Sequence, residues 1–189
     1  MELTESYTLP ISQQRTWEAL NDTAVLRASI PGCESIEADG ENAFALSMSA
    51  SVGPVKARFK GRMLLTDINA PQTYTIVFEG QGGVAGFGKG SARVTLESEG
   101  AEATKLSYTA SAQVGGKLAQ IGSRLVDGAA RKLAGEFFRR FIAQVSGDGD
   151  AAAETAVAAD TASNDGADAA SGDDQTKRKK SWTAWISKS

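Results

Sequence analysis

Residues 106–142 read LSYTASAQVGGKLAQIGSRLVDGAARKLAGEFFRRFI, and within this stretch the hydrophobic period changes from that of a strand to that of a helix. Leu106, Tyr108, Ala110, Ala112 and Val114 alternate with Ser107, Thr109, Ser111 and Gln113, as in a strand with one buried face. After Gly115-Gly116, Leu118, Ile121, Leu125, Ala129 and Leu133 form an apolar stripe at helical spacing, and Gly122 falls on it. Phe137, Phe138, Phe141 and Ile142 join the stripe near its end. Asp127 with Arg131 and Glu136 with Arg140 stand four apart outside it. A long helix has to bury such a stripe, and the strands that precede it are the only surface available.

Those strands follow one pattern. Leu3, Tyr7 and Leu9 alternate with polar residues until Pro10, with Glu5 the one acid on the apolar side. Ser12 can cap a short helix carrying Trp17 and Leu20, and Asp22 a second one through Val25 and Leu26 that stops before Pro31-Gly32. Phe44, Leu46, Met48, Ala50 and Val52 then alternate with small polar residues. After Gly53-Pro54, Val55, Ala57, Phe59, Gly61, Met63 and Leu65 alternate with Lys56, Arg58, Lys60 and Arg62. Tyr74, Ile76, Phe78 and Gly80 continue the inner face, followed by Gly90, Ala92, Val94 and Leu96. The expected fold class is α+β, with a curved antiparallel sheet holding one long C-terminal helix.

Charge divides the chain in three. Residues 1–145 hold 15 basic and 15 acidic residues, 146–176 hold 8 acidic and none basic, and 177–189 hold 5 basic and none acidic. Only the first segment has the composition of a folded domain, so one domain over 1–145, a disordered acidic linker over 146–176 and a basic, aromatic tail over 177–189 are expected. No stretch approaches the roughly 18 to 20 apolar residues of a membrane span, which points to a cytoplasmic protein. Histidine is absent and Cys33 is the only cysteine. That excludes Ser-His and Cys-His nucleophiles, an internal disulfide and a cysteine-based metal cluster, and no metal is expected.

The inner face is lined by unusually small residues. Either the helix packs very close to the sheet or a cavity remains between them; the spread of Gly and Ala over several strands favours the cavity. Its expected lining is Ala57, Phe59, Gly61, Tyr74, Phe78, Gly80, Ala92, Tyr108, Ala110, Ala112, Leu118, Gly122 and Leu125. Apart from Glu5, no charged residue faces inward, so paired acids for proton transfer are lacking and the ligand should be largely apolar. Tyr74 and Tyr108 are placed to orient a carbonyl or hydroxyl. No catalytic residue is expected.

Residues 83–89, GVAGFGK, match the start of a phosphate-binding loop, but Gly90 replaces the Ser or Thr that holds magnesium and a strand follows instead of a helix. Gly83, Gly86, Phe87 and Gly88 read instead as a mobile lid or partner loop. The basic row Lys56 to Arg62 lacks outward aromatics for base stacking, and no nucleic-acid partner is expected. Cys33 reads as a structural thiol. In the tail, Lys177, Arg178, Lys179 and Lys180 precede Trp182, Trp185 and Ile186 at helical spacing, a pattern suited to weak, salt-sensitive contact with an anionic membrane.

WEALND (17–22), IPGCESIE (30–37), VGPVKARFKG (52–61), GGVAGFGKGSARVTL (82–96) and AQVGGKLAQIGSRLVDGAARKLAGEFF (112–138) together resemble the CoxG family of carbon monoxide dehydrogenase subunits, within the SRPBCC, or START-like, superfamily. The resemblance implies the helix-grip fold, a sheet wrapped around the long helix with a deep apolar cavity between. It also implies a non-enzymatic accessory with no covalent cofactor. Such a protein carries a respiratory quinone, menaquinone or ubiquinone, and recruits a molybdenum-containing dehydrogenase such as carbon monoxide dehydrogenase to the inner face of the cytoplasmic membrane. Other members of the superfamily are cyclases or hydrolases. A cyclase-like enzyme using Tyr108 and Glu5, and a membrane-recruitment factor without ligand, are the alternatives.

Overall fold

The computed structural model describes residues 1–154, with side chains through residue 147; the remainder of the expected linker and the whole tail, including Lys177 to Lys180, Trp182, Trp185 and Ile186, lie outside the described residues. Strand β1 (Glu2–Leu9) leads into helices α1 (Gln13–Leu20) and α2 (Thr23–Ser29). Six strands follow: β2 (Cys33–Ala38), β3 (Ala43–Val52), β4 (Val55–Asn69), β5 (Thr73–Gln81), β6 (Phe87–Ser98) and β7 (Thr104–Gly115). Helices α3 (Lys117–Gln120) and α4 (Ser123–Glu154) close the described chain.

All neighbouring strands are antiparallel, and they form one sheet in the order β1-β7-β6-β5-β4-β3-β2. The β1–β7 pair joins the first strand to the last, placing β1 at one edge of the sheet beside β7. Both expected caps form: the Ser12 hydroxyl accepts from the Arg15 N–H, and the Asp22 carboxylate accepts from the N–H groups of Ala24 and Val25. Strand β2 has no counterpart in the alternation read from the sequence, because in CESIEA only Ile36 is buried.

The long helix departs from expectation in its start and in its phase. It does not run unbroken from Leu118, because Gly122 adopts φ +95° and separates α3 from α4. The break also resets the phase. Val126, Phe138, Phe141 and Val145 are buried, whereas Leu125, expected on the inward stripe, is 50% exposed. The helix also continues to Glu154, past the expected start of the linker at Ser146. Glu136 binds both Arg139 and Arg140 on the outer side of α4, and these two guanidinium groups pull its carboxyl down to about 2.

The core lies where α4 meets β1, β6 and β7. Leu9, Leu96, Leu106 and Phe141 are almost fully buried there, and Tyr7, Trp17, Phe137 and Ile142 pack around them. Phe138 stacks between Tyr7 and Tyr108, with ring centroids 4.0 and 5.8 Å away.

Candidate ligand-binding site

Beneath α4 the sheet leaves a cavity of about 340 Å3. Strands β3 to β7 contribute Phe44, Met63, Leu65, Tyr74, Ile76, Ala92, Val94, Leu106, Tyr108 and Ala110; β1 adds Leu3. Leu20, Leu26 and Ile30 close it from α1 and α2, and Ala130, Ala134, Phe137 and Phe138 from α4. The volume falls within the range of small-molecule sites, roughly 300 to 1,000 Å3. Apart from Tyr74 and Tyr108, no lining side chain carries a nitrogen or oxygen, so the space suits a lipophile.

Four of the expected lining residues are brought together here: Tyr74, Ala92, Tyr108 and Ala110. The expected lining left out Leu20, Leu26 and Ile30 from α1, α2 and the turn after them, and Phe44, although the alternation already set Phe44 on the inner face of its strand. Ala57, Phe59, Gly61 and Gly80 sit nearer the β3–β4 and β5–β6 turns, half-buried and outside this cavity. Phe78 and Ala112 lie outside this cavity and border a separate hollow with Arg62, Val77 and Ser111. Leu118 is buried on α3, while Gly122 and Leu125 are exposed where α4 begins.

The small residues have a different cause at several of these positions. A Cβ at Gly61 would collide with the carbonyl oxygen of Glu79, and one at Gly90 with the backbone of Ser111 and Ala112. Gly61 faces Gly80 across β4 and β5, and Gly90 faces Ala112 across β6 and β7. Glycine is needed there for close backbone approach in a bent sheet. The cavity owes its room to Ala92, Ala110, Ala130 and Ala134 instead.

The glycine loop is also built for packing. Gly83–Ala85 forms a single 3-10 turn closed by the Gly82 N–H donating to the Gly86 carbonyl at 2.7 Å, and Ala85 is buried. Gly86, at φ +109°, lies directly against Gly115 and Gly116, and the ring of Phe59 lies against Gly82. These contacts brace the loop against the end of β7. Gly88 pairs with Gly80 and with Val114 inside the sheet. Val84, at the tip, is 85% exposed, and Phe87 is exposed at the start of β6.

Glu5, the acid on the apolar side of β1, is held by two phenols. The hydroxyls of Tyr7 and Tyr108 both donate to its Oε2, at 2.7 and 3.0 Å. Burial, then the hydrogen bond to Glu5 and its charge, push the Tyr7 phenol up to about 12. The same causes raise Tyr108, and burial alone raises Tyr74. These tyrosines therefore stay protonated at neutral pH and act as hydrogen-bonding groups. Tyr74 also meets Trp17 edge-on, with ring centroids 5.3 Å apart.

The basic row is partly spoken for: Arg58 pairs with Glu34 and Arg62 with Asp39, both at 2.9 Å, on exposed surface. Burial raises the Cys33 thiol, as expected of a structural cysteine. Among the described residues no helix is long and apolar enough to cross a membrane.

A family model described as CoxG, a carbon monoxide dehydrogenase subunit, matches residues 6–146. Among solved structures, a conserved protein from Geobacillus kaustophilus is 32% identical over 77% of this chain and 95% of its own, with a TM-score of 0.73. The Zhui aromatase/cyclase from Streptomyces sp. R1128 is 12% identical over 77% of this chain and 93% of its own, with a TM-score of 0.59. A START superfamily protein from Mycobacterium smegmatis is 12% identical over 77% and 97%, also at 0.59. At that identity the last two show a shared fold, the helix-grip arrangement of curved sheet and C-terminal helix. No curated protein matches the chain.

Proposed function

The chain belongs to the CoxG family of carbon monoxide dehydrogenase subunits, and we propose that it is a non-enzymatic accessory protein that carries a respiratory quinone in the cavity beneath α4 and links a molybdenum-containing hydroxylase to the cytoplasmic membrane. The observation that carries this reading is the cavity itself, about 340 Å3 with only two polar side chains in its lining. A quinone ring is flat, with a carbonyl oxygen at each end of an otherwise carbon framework, and Tyr74 and Tyr108 are the two lining side chains that carry hydroxyls. The partner enzyme is of the carbon monoxide dehydrogenase type, as the family's description suggests. Exposed Val84 and Phe87, on a braced turn, form the contact point for it. The basic and aromatic residues 177–188 supply reversible attachment to the anionic inner leaflet.

Vesicles of anionic phospholipid doped with ubiquinone test this reading. Full-length protein should float with the vesicles and, after release in high salt, retain unaltered quinone in the protein fraction. A chain ended at Thr176 should no longer float, yet should still bind a short-chain quinone added in solution. Protein that leaves the vesicles empty overturns the carrier reading. The Glu5–Tyr108 contact favours a second reading, a cyclase-like enzyme with those groups in proton transfer. A bound small molecule recovered in altered form would support that enzyme instead.

A further inference from the structure

The cavity presents two different kinds of polar contact, and strand register sets both on one rung of the sheet. Tyr74 on β5 is level with Val94 on β6, Val94 with Tyr108 on β7, and Tyr108 with Glu5 on β1. At the Glu5 end the chemistry is one-sided. A carboxylate only accepts hydrogen bonds, and the Tyr7 and Tyr108 hydroxyls both donate to Oε2. The Tyr108 proton is therefore committed to Glu5, and what the Tyr108 oxygen still has for any further partner is a lone pair.

The other end differs. Tyr74 is 4% exposed, lines the cavity, and shows no hydrogen bond from its hydroxyl to any described residue; burial is the sole cause acting on its ionisation. A buried phenol ordinarily finds a partner. An unpartnered one in a cavity wall leaves a donor for a ligand oxygen.

We propose that, given the carrier reading on which this rests, the cavity prefers the reduced, hydroxyl-bearing form of its lipophile over the carbonyl form. A hydroquinone hydroxyl donates to the Tyr108 oxygen, and Tyr74 donates to the second ligand oxygen. The carbonyls of a quinone only accept. Such a ligand satisfies Tyr74 but meets a lone pair at Tyr108, and turning the Tyr108 hydroxyl toward it would strip a donor from half-buried Glu5. A site built to pair a ligand hydroxyl discriminates strongly against the analogue that lacks it, because its own buried groups are then left unpaired.

Calorimetric titration of the full chain under anaerobic conditions, with decylubiquinone and its hydroquinone as probes, tests the preference. The hydroquinone is expected to bind on the order of ten-fold tighter or more. Glu5→Gln puts an amide donor opposite Tyr108 and frees the phenol proton, so the difference between the two forms should shrink to about three-fold or less. Tyr108→Phe removes the acceptor outright and should do the same, which keeps the test decisive if Glu5→Gln folds poorly. Oxidised probe that binds wild type as tightly as the reduced one overturns the preference while leaving the carrier reading standing. An unchanged preference in both variants also overturns it. Binding of neither form overturns the carrier reading, and the preference with it.

Discussion

Phe138 on α4 lies face to face with Tyr7 on β1, their ring centroids 4.0 Å apart and their planes within 18°. This stack fastens the long helix to the sheet beside the cavity, and Tyr108 extends it on the other side. Phe138→Ala should lower unfolding free energy by about 3 to 5 kcal/mol, read from the denaturant midpoint. Near-wild-type stability would mean that the helix is held mainly by Phe141 and Val145.

The loop makes a contrast between neighbouring glycines. Gly86→Ala has to place a methyl group into the Gly115 carbonyl at φ +109°, whereas a Cβ at Gly83, φ +59°, meets open space. Gly86→Ala should therefore lower the melting temperature by several degrees more than Gly83→Ala, whose cost is the backbone strain of order 1 kcal/mol. Equal melting temperatures would show that the loop is not braced against β7.

Alkaline pH provides a third test. The Tyr7 phenol titrates at about 12 in the folded protein and near 10 when unfolded, so its contribution to stability is fully present below about pH 10. Between about 10 and 12 the folded chain keeps a proton that the unfolded chain has lost, and stability falls as pH rises through that window. Tyr7→Phe should show a shallower fall than wild type in urea midpoints across it. Identical slopes would remove Tyr7 from the titrating group.

Period-two alternation made six of the seven strands legible, because one buried face leaves a repeating signature. Strand β2 was not legible: its pairing rests on β3, and only Ile36 marks its inner side. The helix break at Gly122 was equally hidden, since a glycine on an apolar stripe reads as part of the stripe until its φ is known. The cavity was legible in kind but not in position. Gly61 and Gly90 looked like vacant space, and the close strand approach that requires them is visible only in three dimensions. Glu5 stood out in the sequence as a charge on an apolar face. Its partner Tyr7 stands two residues along the same face of β1, and Tyr108 comes opposite it through the β1–β7 register.

The central claim is that the alanine-lined space beneath α4 holds a lipophile. Native mass spectrometry of the full chain after gentle lysis, beside Ala110→Leu, tests it most directly. Wild type should carry an added mass matching a respiratory quinone or its hydroquinone, and Ala110→Leu should lose that mass, with overpacking costing about 1 to 3 kcal/mol. A bare wild-type mass, a polar metabolite in its place, or a quinone adduct that Ala110→Leu retains in full would contradict the account.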